Sequence, residues 1–235
     1  MVDYAISLTS IPPRYARLGP VLRSLLAQRP APARVILCLP RWPARFDPAP
    51  PPDLPDRVEV MWTDRDEGPA TKVLPAARAL AGRNSRLIYC DDDWIMTQGW
   101  AARLLTAGGP DEAVAGAGFD VDRLKRRSHR APDPAVCDIA QGFAGVSIRP
   151  DWLSGPDCMP PPEAWAVDDI WLSAQLARQG IPIRLAPDAR GGMRLAYEDA
   201  HGLQDAAISG RERHAANLAC VARVTARYSL WPPRG

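Results

Sequence analysis

The chain has 235 residues, of which 46 % are hydrophobic and 24 % charged, with a formal net charge of +2. At that length roughly 70 % of the extended surface is buried on folding, enough for one sizeable core, and the near-neutral balance speaks against disorder and against an overall nucleic-acid-binding charge profile. Cysteines at 38, 90, 137, 158 and 220 are odd in number and lack metal-knuckle spacing, and no apolar stretch reaches the roughly 18 residues of a membrane span. The expectation is a soluble, reduced, cytoplasmic protein, for which peripheral association with the inner face of a membrane stays compatible.

The N-terminal "YAISLTSIPPR" predicts a strand over 4–9, and Leu18, Val21, Leu22, Leu25 and Leu26 set a helical stripe within 15–28. "ARVILCLP" (33–40) and "DRVEVMW" (56–62) read as the next strands, Thr71 to Leu80 as a helix, and 86–90 as a fourth strand. A helix opens at Trp100, short strands follow in "EAVAGAG" and "FAGVSIR", and "VDDIWLSAQLARQG" forms a helix with Gly180 as its C-cap. "IPIRLAP" is strand-like, and the last helix runs from Arg211 to Tyr228. Prolines between Pro40 and Pro55 and around "MPPPE" mark connections on a folded body, since periodic segments resume on both sides. Strand and helix alternation predicts an α/β fold with a mostly parallel, Rossmann-like sheet flanked by helices.

Against that frame, "LIYCDDDWIM" (87–96) is unusual: an apolar strand ends in three carboxylates that repel one another. Ligands in open parallel sheets gather beyond the carboxyl ends of strands. A divalent cation, Mg²⁺ or Mn²⁺, would make the acidic cluster favourable, and a diphosphate would complete its shell. Adjacent side chains alternate, so Asp91 and Asp93 share a side while Asp92 is free to hold the loop or meet a ligand hydroxyl. A solvated turn with capping aspartates is the plain alternative. In "GPATK" (68–72), Gly68 permits an unusual turn, Pro69 stiffens it, and Lys72 reaches phosphate as a point charge or simply faces solvent. The spacing of a P-loop is absent.

"ISLTSIPPR" (6–14), "DEGPATKVLPA" (66–76), "RLIYCDDDW" (86–94) and "VDDIWLSAQLARQG" (167–180) together resemble a glycosyltransferase of the GT-A fold, a nucleotide-diphospho-sugar transferase, over most of residues 4–202. The resemblance implies one domain over 1–235, with a donor-nucleotide half (1–95), an acceptor and catalytic half (96–205) and a C-terminal helix and tail (206–235). It implies an Asp-x-Asp signature at Asp91 and Asp93, with Asp93 the stronger metal ligand and Asp91 a ribose or metal-site residue, beside Asp92. Thr9, Arg14, Asp66 and Lys72 would border the nucleotide of a UDP- or GDP-sugar donor, and His201 would be a further metal ligand. Asp169 would be the base of an inverting transfer and Asp168 an acceptor-hydroxyl binder, against the plain reading of first-turn helix charges. The acceptor would be a carbohydrate or lipid-linked glycan, with no nucleic acid as partner.

Two further features stay open. Trp165 or Trp171 offers a sugar-stacking face, although Trp171 also fits the helix's apolar stripe. Arg123, Lys125, Arg126, Arg127 and Arg130 form a basic run suited to an anionic acceptor or to a solvated loop. A noncatalytic nucleotide-sugar-binding protein on the same fold is the alternative to an enzyme.

Overall fold

The structure, a computed structural model, describes residues 3–198 and 213–234. Its strands, in chain order, are β1 (Tyr4–Thr9), β2 (Arg34–Pro40), β3 (Val58–Thr63), β4 (Arg86–Tyr89), β5 (Trp94–Ile95), β6 (Ala113–Ala115), β7 (Gly118–Phe119), β8 (Val136–Cys137), β9 (Ile139–Ala140), β10 (Val146–Ile148), β11 (Ile183–Leu185) and β12 (Arg194–Leu195). The α-helices are α1 (Gly19–Leu26), α2 (Leu74–Leu80), α3 (Trp100–Thr106), α4 (Asp168–Arg178) and α5 (Arg213–Tyr228).

Eight strands form one sheet in the order β3-β2-β1-β4-β10-β6-β11-β8. Only β10 and β8 run against the rest. β1 lies centrally, with Ile6 opposite Val35 on one side and Ile88 on the other. The near-continuous apolar runs of β1, β2 and β4 fit strands covered on both faces. On one face, Leu74, Leu80, Leu172 and Leu176 of α2 and α4 pack on Ile36, Leu87 and Ile148. On the other, Leu22 and Leu25 of α1 and Trp100 and Leu104 of α3 pack on Leu8, Leu37 and Ile88. α5 lays Val221 and Val224 against Ile170, Trp171 and Trp231, and each fully buried valine contributes about 1.5–3 kcal/mol. This is the α/β architecture expected, a mostly parallel sheet flanked by helices, with the acidic turn at the carboxyl end of the inner strand β4.

Two helices begin later than their apolar periodicity predicts, and proline explains both. Pro20 and Pro75 have no N–H to complete an α-helical bond to the residue four earlier. The chain therefore runs as a 3₁₀ turn over Pro12–Arg17 before α1, and over Gly68–Lys72 before α2. Thr71 and Lys72 close that second turn and do not open a helix, so no α-helical N-terminus lies there. The β5–β12 and β7–β9 pairs, two residues per strand, carry no periodicity and were not expected. Among the described residues no helix is long and apolar enough to cross a membrane. All five cysteines are buried and free.

Candidate functional site

The three aspartates that follow β4 have three different environments. Asp92 is buried at 3 % exposure, its carboxylate held by Arg14 at 2.5 Å and by the Ser10 hydroxyl. Burial raises its pKa, and Arg14 and Ser10 pull the other way. Asp92 thus ties the acidic turn to the loop after β1. Asp93 is the opposite case: its Oδ1 is buried with no hydrogen-bond partner among the described residues. Burial first, then the charges of Asp91 and Asp92, push its pKa up to about 6. The turn is latched from outside, since the Ala196 N–H donates to the Asp93 carbonyl at 2.7 Å and the Tyr197 hydroxyl to the Asp92 carbonyl at 3.0 Å.

Asp91 receives a hydrogen bond from Lys72 Nζ at 2.6 Å. The same ammonium stands 2.8 Å from Asp168 Oδ2 at the first residue of α4, closing a second ion pair. Lys72 is only 3 % exposed, and the 3₁₀ turn is fastened to β1 by the Ser7 hydroxyl, which donates to the Lys72 carbonyl at 2.6 Å. Burial alone would lower the lysine pKa, but Asp168, Asp91 and Asp169 together hold it well above its ordinary value. An approach this close requires Gly142 opposite, where an added Cβ would lie 2.6 Å from Nζ.

Asp169 points into the same region, and its Oδ1 accepts from the Gly142 N–H at 3.0 Å. Burial and the neighbouring Asp168 raise its pKa to about 7, although Lys72 opposes them. A carboxyl group poised there exchanges a proton readily near neutrality.

Thr9, Arg14, Asp66, Lys72, Asp91, Asp92, Asp93, Asp168 and Asp169 all line one cleft of about 370 Å³ at the carboxyl ends of the parallel strands. Several of them are already engaged. The Thr9 hydroxyl donates to the Cys38 carbonyl at 2.7 Å, and Asp66 accepts from the N–H groups of Ala44 and Gly68 at 2.7 and 2.8 Å. Asp66 therefore braces the turn of Gly68, whose φ of +62° and close approach to Trp165 leave no room for a Cβ. Trp165 lines the cleft, and its Nε1–H donates to the Asp66 carbonyl at 3.2 Å. Trp171 is fully buried, donating to the Cys158 carbonyl at 2.7 Å, so it belongs to the core. His201 lies outside the described residues.

The basic run is not at the cleft. Arg130 pairs with Asp120 and, at 3.2 Å, with Asp138, while Arg126 and Arg127 meet the backbone of Pro233 and Pro232. Arg126 and Arg127 thus dock the C-terminal tail. Conversely, the cleft is completed by Trp94, Gln141, Phe143, Leu195, Tyr197 and Arg213, which had not been singled out. Only Trp94 carried a signal, its place directly after the acidic triplet. Among the described residues no three metal-ligating side chains converge. The unpartnered oxygen of Asp93 beside Asp91 is nevertheless a hard, negative donor set suited to one divalent cation completed by ligand oxygens.

No protein-family model and no curated protein matches the chain. Similar solved structures include a mycobacterial protein, with a TM-score of 0.51 and 12 % identity, covering 97 % of this chain and 76 % of that one. The galactosyltransferase LgtC, in complex with donor and acceptor sugar analogues, aligns with a TM-score of 0.46 and 11 % identity over 77 % of this chain and 72 % of its own. S. aureus TarS (residues 1–349) in complex with UDP gives a TM-score of 0.47 and 12 % identity over 79 % of this chain, which spans only 58 % of that one. At such identities the likeness is one of fold.

Proposed function

We propose that this chain is a glycosyltransferase that moves a sugar from a nucleotide-diphosphate donor to an acceptor hydroxyl of a glycan or lipid-linked glycan. The observation that carries the reading is the meeting, in one cleft at the sheet's carboxyl edge, of an unpartnered Asp93 oxygen, the buried Lys72 cation and the raised carboxyl of Asp169.

In this reading Asp91 and Asp93, with His201, would hold a divalent cation, Mn²⁺ or Mg²⁺, which supplies charge neutralisation at the donor's diphosphate. Arg14 and Ser10 keep Asp92 turned inward and Lys72 engages Asp91 Oδ1, so that the Asp93 carboxylate and the second Asp91 oxygen are left for the ligand. Thr9, Arg14 and Asp66 border the nucleotide, which is a uridine or guanosine diphosphate. Lys72 holds the donor turn and the start of α4 at fixed separation, and its charge faces the developing negative charge of the leaving group. Asp169 accepts the proton of the acceptor hydroxyl as its oxygen bonds to the anomeric carbon. The old bond's electron pair leaves with the diphosphate, so the anomeric configuration is inverted. Asp168, held by Lys72, orients that hydroxyl.

The division into a donor half (1–95) and an acceptor half (96–205) follows the same reading, with Asp91 to Asp93 at the seam. Isothermal titration with UDP- and GDP-sugars, with and without Mn²⁺, tests donor binding. Product formation with a glycan acceptor then separates an enzyme from a noncatalytic binding protein. No heat with any nucleotide sugar would reject both.

A further inference from the structure

We propose that Trp94, Phe143 and Leu195 form the acceptor subsite, on which the C–H face of the acceptor's terminal pyranose ring stacks. The proposal rests on the glycosyl-transfer reading and adds to it the side chains that select the acceptor.

The three residues are contiguous. Leu195 of β12 is the register partner of Trp94 in β5, and directly opposed residues of an antiparallel pair project to one face. The rings of Trp94 and Phe143 lie 5.4 Å apart at 41°, and the guanidinium of Arg190 stacks 5.0 Å from the Phe143 ring. All three line the cleft. None is core: Trp94 and Phe143 are half-buried, and Leu195 is 46 % exposed, one of two large hydrophobic residues left in the open among the described residues. Keeping such a patch wet is unfavourable, and a ligand that covers it recovers that cost.

Position selects the ligand. Trp94 follows Asp93 directly, and Phe143 follows Gly142, whose N–H holds Asp169 Oδ1 at 3.0 Å. The wall therefore runs from the donor turn to the proposed base, the line along which an acceptor oxygen must approach. A pyranose ring carries apolar C–H groups on its face and hydroxyls at its edge. The edge meets Gln141, which lines the same wall and whose side chain has no hydrogen-bond partner among the described residues. A nucleobase could use the same wall, which makes the donor the control.

Saturation-transfer NMR of the full chain with UDP and a panel of methyl glucosides, galactosides, mannosides and N-acetylglucosaminides tests the assignment. With wild type, the ring C–H protons of at least one glycoside take up saturation in the presence of UDP. In Trp94→Ala and in the exposed Leu195→Ser that signal falls fivefold or more, Trp94→Phe retains it, and the UDP signal is unchanged in all three. No glycoside signal with wild type, an unchanged one in the variants, or loss of UDP in Trp94→Ala alone would overturn the subsite. Absence of any UDP signal in wild type would overturn the glycosyl-transfer reading beneath it.

Discussion

The ammonium of Lys72 lies 2.8 Å from Asp168 at the start of α4 while also donating to Asp91 at 2.6 Å, so one buried cation joins two distant acidic segments. Its charge offsets Asp91 on one segment and Asp168 and Asp169 on the other. The turn of Gly68–Lys72 and the bareness of Gly142 both exist to let this side chain in.

Replacing Lys72 with Met leaves Asp168 buried and uncompensated. Breaking a buried ion pair by removing one partner costs about 3 kcal/mol, seen as a fall in the urea midpoint with little change in slope. Lys72→Arg does not restore it, because the planar fork does not fit where the ammonium nearly touches Gly142. The double variant Lys72→Met/Asp168→Asn recovers part of the loss, and additivity of the two single effects would refute the coupling.

Asp93→Asn behaves differently. Its buried oxygen has no partner to lose among the described residues, so the unliganded protein keeps or gains thermal stability. The same change removes any dependence of nucleotide-sugar affinity on Mn²⁺. A destabilised variant that still responds to the ion would show that Asp93 serves the fold and not the ligand.

Asp169→Asn spares donor binding but lowers transfer about 10²–10⁴-fold, the range for removing a general base. In wild type kcat/KM rises with pH through about 7, where the raised pKa of Asp169 places its basic form. The sign for stability is the reverse. Because the native state holds this proton more tightly than the unfolded chain, the contribution is fully present below about pH 4 and is lost as pH rises through about 7. Urea midpoints of wild type and Asp169→Asn compared across that interval check it.

Gly68→Ala requires a non-glycine residue at a φ of +62° and places a Cβ 2.4 Å from the Trp165 carbonyl. The expected loss is about 2 kcal/mol or more, measured as a lowered urea midpoint, because backbone on both sides must move. A neutral substitution would mean that the 66–68 loop is not braced against Trp165.

Much of this was legible in the chain. The strands β1, β2 and β4 are apolar and sharply bounded, and the acidic triplet announces a strand end because carboxylates cannot continue such a run. What stayed hidden depended on pairing across the fold. Nothing near Lys72 in sequence says that it reaches Asp168, and nothing near Asp92 says that Arg14 pairs with it. The β5–β12 pair is too short to carry a period, so Leu195 and Phe143 gave no sign of sharing a wall with Trp94. The basic run at 123–130, left open between an anionic ligand and a solvated loop, is settled by pairing across the fold: Arg130 answers Asp120 and Asp138.

The most direct measurement is a crystal structure of the protein with a UDP- or GDP-sugar and Mn²⁺, read with anomalous scattering from the ion. The account predicts the diphosphate in the cleft, with the manganese peak on the Asp93 carboxylate and Asp169 open to the anomeric carbon's far side. A diphosphate bound elsewhere, with Asp91 and Asp93 facing only solvent or backbone amides, would contradict it.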